Sequence, residues 1–334
     1  MVNVIELFAG AGGLALGLEQ AGLKHKLLVE IDKDCVSTLK NNRPHWNIIH
    51  DDVKNVKFSK YHNVDVVTGG FPCQAFSYAG KRLGFEDTRG TLFFEFARAV
   101  KEINPKICIA ENVQGLVRHD KGRTIETMIN VLKSLGYQVQ YQVLNASEYG
   151  VAQKRKRLIL VGTKNVTFNY PKKQAKIPTI KDALKNVPKS KGVKYSATKE
   201  KVLDLVPPGG CWVDLPEDIK KDYMGKSYFS GGGKRGMARR MSWDEPCLTL
   251  TTSPCQKQTE RCHPDETRPF TIREYARIQS FPDDWIFSGG LTSQYKQIGN
   301  AVPVLLAKEI GKQIIKALNE PKQHKHLIQT TLPI

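Results

Sequence analysis

Short apolar runs and segments with helical periodicity alternate along the first half of this chain, which is an order typical of an α/β fold. The runs are rich in β-branched residues and predict buried strands. The predicted strands cover residues 2–7, 27–31, 46–49, 65–68, 106–110, 137–144 and 158–161, and the helices between them cover residues 14–20, 33–41, 91–103 and 122–135. We therefore expect an open sheet with helices on its faces.

The pattern changes near residue 163. Residues 164–235 are rich in Lys, Pro and Gly and show little periodicity. Aromatic residues are dispersed through this part of the chain, from Trp212 to Trp243, which argues against a flexible linker. We predict a smaller, variable domain that begins near residue 171. Helical periodicity returns at residues 270–281 and 304–318.

The first strand runs into Phe8-Ala9-Gly10-Ala11-Gly12-Gly13, and a predicted helix follows. Glycines in such a turn let the backbone approach a ligand closely. Glu30 lies near the end of the second strand, where an acid commonly binds ribose hydroxyls. The glycine spacing is not G-x-G-x-x-G, so a nucleoside cofactor without a pyrophosphate, such as S-adenosylmethionine, fits better than a dinucleotide. Asp52 follows the third strand, as an acceptor for an adenine amino group or as a cap of the next turn.

Two reactive side chains follow further strands. Cys73 comes after Gly69-Gly70-Phe71-Pro72, where a strand breaks into a loop, and Glu111 follows the strand at residues 106–110. Ligands bind at the carboxyl ends of strands in open α/β sheets, so Cys73 is a candidate nucleophile. Position alone leaves two alternatives open, a small buried hydrophobe at Cys73 and a solvated loop acid at Glu111.

Basic and amide side chains mark candidate contacts to nucleic acid. Alternation places Gln153, Arg155 and Arg157 on one face of an extended segment, where they suit an anionic backbone or a base edge. An edge strand guarded by charges is the alternative. The polar loop at residues 74–90 predicts a mobile active-site loop. Two further loops, at residues 207–210 and 230–236, are rich in glycine and could enter a DNA groove. The candidate DNA contacts are Gln74, Ser77, Arg89, Gln153, Lys234, Arg235, Arg239 and Arg240.

Composition narrows the class of protein. Lys and Arg total 51 against 33 Asp and Glu, and the net charge of +18 favours a polyanionic partner over an unused basic surface. The seven cysteines are an odd number without a C-x-x-C pair, so we expect neither a disulfide framework nor a metal site. No apolar run reaches the ~18 residues of a membrane span. No secretion signal is evident, and we expect a cytoplasmic protein.

Five short motifs occur in sequence along nearly the whole chain. They are Phe8-Ala9-Gly10-Ala11-Gly12-Gly13, Pro72-Cys73-Gln74, Glu111-Asn112-Val113, Gln153-Lys154-Arg155-Lys156-Arg157 and Gly299-Asn300-Ala301-Val302-Pro303. In this set the chain resembles the DNA cytosine-C5 methyltransferases of bacterial restriction–modification systems. A variable region between the fourth and fifth motifs is part of that resemblance.

The resemblance implies a Rossmann-like S-adenosylmethionine-dependent methyltransferase domain and a smaller, irregular, mostly β target-recognition domain. It implies a catalytic and cofactor-binding domain at residues 1–170, a recognition domain and hinge at 171–291, a returning segment at 292–320 and a tail at 321–334. Ile31 stands where the family often has a larger side chain against adenine. The implied cofactor site contains Phe8, Gly10, Ala11, Gly12, Gly13, Leu14, Glu30, Ile31, Asp52, Val53, Pro72, Leu92, Asn300 and Ala301.

The resemblance also implies the chemistry. Cys73 would add to C6 of a flipped cytosine, Glu111 would act at N3, Arg157 would hold O2, and Arg155 would support the loop. Double-stranded DNA is the implied substrate, a separate cognate nuclease is a possible partner, and we expect a monomer. An RNA cytosine methyltransferase on the same fold is the nearest alternative. A nicotinamide oxidoreductase leaves Cys73 and Glu111 without roles, and a non-catalytic DNA-binding protein leaves the reactive residues unexplained.

Overall fold

The computed structural model describes residues 1–72, 92–229 and 236–320. The strands within these ranges are β1 (Asn3–Leu7), β2 (Lys24–Glu30), β3 (Ile48–His50), β4 (Val66–Gly69), β5 (Ile107–Val113), β6 (Gln138–Asn145), β7 (Gln153–Lys154), β8 (Lys156–Thr163) and β9 (Cys247–Leu248). Seven of them form one sheet in the order β3-β2-β1-β4-β5-β8-β6, and β7 pairs with β9. The predicted α/β class is confirmed.

Helices cover both faces of this sheet and extend beyond it. They are α1 (Gly13–Ala21), α2 (Lys33–Asn42), α3 (Leu92–Ile103), α4 (Arg123–Ser134), α5 (Ile180–Leu184), α6 (Ala197–Asp204), α7 (Glu217–Met224), α8 (Ile272–Ile278), α9 (Leu291–Asn300) and α10 (Val304–Asn319). Among the described residues, no helix is long and apolar enough to cross a membrane.

The strand directions create a crevice at one edge of the sheet. Strands β3, β2, β1, β4 and β5 run parallel, whereas β8 is antiparallel to β5 and β6 is antiparallel to β8. From β1 the chain builds outward to β2 and β3, and then it returns to the other side of β1 with β4. Ligands bind outside the carboxyl ends of the strands at such a reversal of strand order. The sheet topology therefore predicts where the site lies.

Two apolar cores hold the helices against opposite faces of the sheet. Alternate residues of β1 divide between the cores, because successive side chains of a strand point to opposite faces. Ile5 belongs to the core that includes Phe93 and Phe96 of α3. Val4 belongs to the core that includes Leu18 of α1 and Ile310 of α10. The C-terminal helix α10 thus completes the sheet domain that begins the chain.

The region at residues 171–291 differs from the expectation of a mostly β domain. Its described residues contain the short helices α5 to α8, the two-residue strand β9 and isolated bridges at Arg240, Cys262 and Pro269. Helices α5, α6 and α7 have only five to eight residues. Helices this short span barely two turns, so their apolar periodicity is too brief to be recognised in the sequence.

Candidate active site

A cavity of about 720 Å³ opens at the carboxyl ends of the parallel strands. This volume lies in the range of small-molecule and cofactor sites, roughly 300–1,000 Å³. Gly12 is not in its lining, because this residue faces Leu39 and Trp285. The lining includes the other expected cofactor residues, namely Phe8, Gly10, Ala11, Gly13, Leu14, Glu30, Ile31, Asp52, Val53, Pro72, Leu92, Asn300 and Ala301.

The turn after β1 shapes one wall of the cavity. Phe8 and Gly10 both have a positive φ, at 58° and 54°. Glycine adopts this conformation freely, whereas a phenylalanine is strained there. A Cβ added at Gly10 would meet nothing within 4 Å, so its backbone borders open space. The turn therefore leaves room for a ligand directly against the main chain.

Glu30 lies at the end of β2 and is held by backbone donors. Its Oε2 accepts from the Gly10 N–H at 2.7 Å, and its Oε1 accepts from the N–H groups of Ile31 and Asp32 at 2.9 and 2.8 Å. Only 8% of the residue is exposed. These three bonds fix the carboxylate at the cavity wall and also tie the glycine turn to β2.

The rim beside Glu30 contains residues that the sequence did not identify. Lys296 of α9 pairs with Asp32 at 3.1 Å, and both side chains line the cavity. Ile31 is 63% exposed at the rim. The Asp52 side chain accepts a hydrogen bond from the Lys54 N–H at 3.0 Å, so it caps the next turn, which was one of its two predicted roles. Asp52 also lines the cavity.

Glu111 and Arg157 form a buried, hydrogen-bonded pair at the other end of the cavity. Arg157 Nε lies 2.9 Å from Glu111 Oε1, and the side chains are only about a tenth exposed. Burial raises the pKa of the Glu111 carboxyl above its ordinary value of 4.5, against the opposing charges of Arg157 and Arg155. We infer that the Glu111 carboxyl retains its proton to a higher pH than a solvated glutamate does.

The loop before Cys73 is fixed at the same end. Asn112 Nδ2 donates to the Phe71 carbonyl at 2.9 Å, and Phe71 packs within 6.2 Å of the rings of Phe8, Phe93 and Phe96. A Cβ at Gly70 would lie only 3.0 Å from Glu111 Oε2, so glycine permits this close approach. The described chain thus reaches Pro72 beside Glu111.

Several predicted residues lie outside the described ranges. They are Cys73, Gln74, Ser77, Arg89, Lys234 and Arg235. The catalytic assignment of Cys73 and the DNA contacts proposed for the others therefore stay predictions.

The alternation predicted at residues 153–157 is confirmed, but the covered face lies inside the protein. Gln153 and Arg155 are 0% and 1% exposed. Arg155 donates to the carbonyls of Leu250 and Gly299 at 3.1 and 2.8 Å, which agrees with a supporting role. The Gln153 amide bonds to Gln279 and to the Leu250 N–H. The prediction that Gln153 contacts DNA is wrong, because protein atoms surround its side chain.

The adjacent arginines of the variable region have different environments. Arg240 is 4% exposed and donates to carbonyls that include those of Val206 and Leu203, at 2.7 and 2.8 Å. The prediction that Arg240 contacts DNA is wrong, because its guanidinium lies in the interior of the variable region. Arg239 is partly exposed, and its Nε has no hydrogen-bond partner among the described residues.

Within the three described ranges, no group of three or more His, Cys, Asp or Glu side chains has an arrangement that could hold a metal ion.

Comparisons with known proteins agree on one family. A family model described as C-5 cytosine-specific DNA methylase matches residues 2–316. Type II methyltransferase M.Eco47II of Escherichia coli is 60% identical over 332 residues, which cover 95% of this chain and 80% of that protein. Type II methyltransferase M.Sau96I of Staphylococcus aureus is 60% identical over 329 residues, which cover 95% of this chain and 76% of that protein.

A solved structure supports the same fold. The crystal structure of a putative DNA modification methyltransferase encoded within an E. coli prophage has a TM-score of 0.70 and 26% sequence identity to this chain. The superposition covers 96% of this chain and all of that one.

Proposed function

The chain belongs to the C-5 cytosine-specific DNA methylase family, and from this premise we propose that it flips a cytosine out of a short duplex site and methylates C5 through a covalent Cys73–C6 bond. The family acts on DNA with S-adenosylmethionine as the cofactor. The observation that carries the proposal is the buried Glu111–Arg157 pair, which shares one cavity with Glu30.

The proposed reaction begins at Cys73. Extrusion of the base costs a few kcal/mol, and the enzyme then reaches an otherwise stacked ring. The Cys73 thiolate adds to C6, and the displaced electron pair moves toward N3. Glu111 donates its proton to N3, which requires the neutral acid that burial favours. Arg157 holds O2 while it remains paired with Glu111.

The second half of the reaction restores the enzyme. S-adenosylmethionine would supply a methyl group on a sulfonium sulfur. The enamine electron pair at C5 would form the new carbon–carbon bond as the methyl–sulfur bond breaks, and S-adenosylhomocysteine would leave. A base then removes the C5 proton, and we assign this role to water. The electron pair of the C5–H bond re-forms the C5–C6 double bond and expels Cys73 as the thiolate, and N3 returns its proton to Glu111. Arg155 holds the chain leading to Arg157 through its bonds to Leu250 and Gly299.

The cavity residues fit a nucleoside cofactor. Glu30 offers carboxylate oxygens for ribose hydroxyls, and Phe8, Val53 and Leu92 add apolar surface. Asp52 offers an acceptor for the adenine amino group. The turn at Gly10 leaves open space against the backbone, as a bound cofactor requires.

DNA recognition is assigned to the variable region. In this proposal residues 1–170 and 292–320 form the catalytic domain, and residues 171–291 form the recognition domain and hinge. Lys234, Arg235 and Arg239 contact DNA from the recognition side, whereas Gln74, Ser77 and Arg89 contact it from the catalytic side. The net charge of +18 favours this partner. The relatives' names as Type II methyltransferases support a role in protecting DNA from a cognate restriction endonuclease.

The test is to incubate the protein with S-adenosylmethionine and long mixed-sequence duplex DNA and to map 5-methylcytosine by bisulfite sequencing. We expect methylation at one short recurring sequence. Cys73→Ala should abolish turnover and leave DNA binding measurable, while Cys255→Ala, a cysteine of the variable region, should keep the parent rate.

Two outcomes would contradict the proposal. Turnover of Cys73→Ala within about tenfold of the parent would remove the nucleophile, because loss of a covalent catalyst costs far more than that. Methylation of tRNA but not of duplex DNA, with S-adenosylmethionine binding intact, would assign the protein to the RNA alternative.

A further inference from the structure

Two glutamine side chains meet in the interior between the sheet domain and the variable region. Gln153 and Gln279 are both 0% exposed. Gln153 Nε2 donates to Gln279 Oε1 at 3.0 Å. Side-chain amides are seldom buried this completely unless their polar atoms have hydrogen-bond partners. We therefore expect the other amide atoms of both glutamines to be bonded as well.

The remaining polar atoms bind backbone groups of two separate segments. Gln153 Oε1 accepts from the Leu250 N–H at 3.0 Å. Gln279 Nε2 donates to the Ile298 carbonyl at 2.7 Å and to the Ala301 carbonyl at 3.3 Å. The pair therefore forms one continuous chain of hydrogen bonds from the variable region, through β7, to the junction of α9 and α10.

This chain of hydrogen bonds adjoins the active site at two points, Ala301 and the segment that begins at Gln153. Ala301 lines the cofactor cavity. Gln153 precedes Arg155 and Arg157 on the same extended segment, and Arg157 pairs with Glu111. Arg155 repeats the connection, because it binds the carbonyls of Leu250 and Gly299. The glutamines and Arg155 thus tie the same segments together at neighbouring residues.

We propose that Gln153 and Gln279 are positioning residues that fix the Ala301 wall of the cofactor cavity relative to the segment carrying Arg157. In this role they couple S-adenosylmethionine binding to the placement of the recognition-side residue Leu250. The inference rests on the proposed function for the identity of the cofactor and of the reaction. It adds two residues that touch neither the cavity nor the reacting atoms.

The main test uses Gln153→Met, Gln279→Met and the double variant. Methionine keeps a similar length and volume but leaves the backbone groups of Leu250, Ile298 and Ala301 without these partners. An unsatisfied buried group costs enough to change an equilibrium by about tenfold or more. We expect each single variant to weaken S-adenosylmethionine binding, measured by calorimetry, by about tenfold. The double variant should be no weaker than the worse single one, since the pair acts as a unit.

Gln140→Met is the matched control. Gln140 also donates to a backbone carbonyl, that of Phe168 at 2.8 Å, but it lies on the edge strand β6 away from the cavity. We expect it to bind S-adenosylmethionine and to methylate DNA as the parent does. Its thermal unfolding temperature provides the reference for the loss of one ordinary side-chain bond.

Gln279→Glu separates positioning from simple loss of stability. An ionised carboxylate there can accept from Gln153 but cannot donate to the carbonyls of Ile298 and Ala301, whereas the protonated acid can donate one bond. We expect S-adenosylmethionine affinity of this variant to rise by several-fold between pH 8 and pH 6, while the affinity of the parent changes less. A merely structural role would move the unfolding temperature without this pH-dependent recovery.

The outcomes distinguish the two levels of the proposal. Parent methylation with unchanged S-adenosylmethionine affinity in Gln279→Met would overturn the positioning role and leave the proposed function intact. Strictly additive losses in the double variant would also overturn the coupling. A parent that binds S-adenosylmethionine but methylates no duplex DNA would instead refute the proposed function. If Gln279→Met does not fold, Gln153→Met and Gln279→Glu decide the question by the same calorimetry.

Discussion

The strand ends of the sheet and the variable region at residues 171–291 use polar residues in different ways. At the strand ends, Glu30 and Glu111 are both 8% exposed, and both line the cavity. In the variable region the adjacent residues Arg239 and Arg240 differ in environment. Arg239 is partly exposed, whereas Arg240 is buried among backbone carbonyls. The sheet topology places both glutamates in one ligand cavity. In the variable region the backbone is irregular, so two adjacent arginines can have unrelated roles.

The two glutamates also differ from each other in their partners. Glu30 accepts hydrogen bonds from three backbone N–H groups, which hold its carboxylate at the wall of the cavity. Glu111 has the Arg157 guanidinium and a buried setting that raises its pKa. The same side chain at two strand ends therefore suits ligand binding in one case and proton donation in the other.

The largest effect that would test this contrast is that of Glu111→Gln. We expect kcat to fall by about 10²–10⁴-fold, because general acid catalysis at N3 is lost, while S-adenosylmethionine affinity changes little. Single-turnover methylation and calorimetry measure the two quantities. A parent-like rate would remove Glu111 from the mechanism.

The pH dependence gives an independent check on Glu111. Because its folded pKa is raised, the folded protein keeps this proton as the pH rises above the ordinary value of 4.5, and it loses the proton only at a higher pH. The stability contributed by this proton is fully present below 4.5 and is lost as the pH rises through the folded pKa. We expect kcat to decline on the alkaline side, and the residual rate of Glu111→Gln should lack that decline.

Much of the sheet domain could be predicted because its elements are periodic and its site follows from topology. Once strands ending in Glu30 and Glu111 are recognised, parallel order brings their ends together. Gln153 shows the limit of this reasoning, since alternation identified a shared face but not the segments that cover it. Lys296 was missed because α9 was not recognised as a helix. Arg240 was misassigned because charge alone does not indicate burial.

Arg240→Met sharpens the contrast within the variable region. Loss of the guanidinium leaves the carbonyls of Val206 and Leu203 without these donors, so we expect a loss of about 2–4 kcal/mol in the free energy of unfolding. Urea unfolding measures it, with Arg239→Met as the control for loss of a neighbouring arginine. A stability equal to that of Arg239→Met would show that burial of Arg240 contributes nothing.

Glu30→Gln tests the cofactor end of the cavity. An amide retains one acceptor oxygen and turns an NH₂ group toward backbone donors, so we expect S-adenosylmethionine to bind about tenfold more weakly. The rate at saturating cofactor should change far less than in Glu111→Gln. Glu309→Gln is the control, because Glu309 lies on α10, away from the cavity lining, and its carboxylate pairs with Lys312. A large fall in kcat with normal binding would erase the distinction between the two glutamates.

Arg239→Ala is the smallest and most discriminating change. The Arg239 guanidinium has a buried Nε without a partner in the described part of the chain, and like charge from Arg261 lies near it. If it reaches a phosphate, DNA affinity should fall by about three- to tenfold for all sequences, and the slope of log affinity against log salt should decrease by about one. If it reads a guanine, the loss should be confined to the methylated sequence. Unchanged affinity and salt slope would remove Arg239 from the DNA interface, and the contrast with Arg240 would then be one of exposure alone.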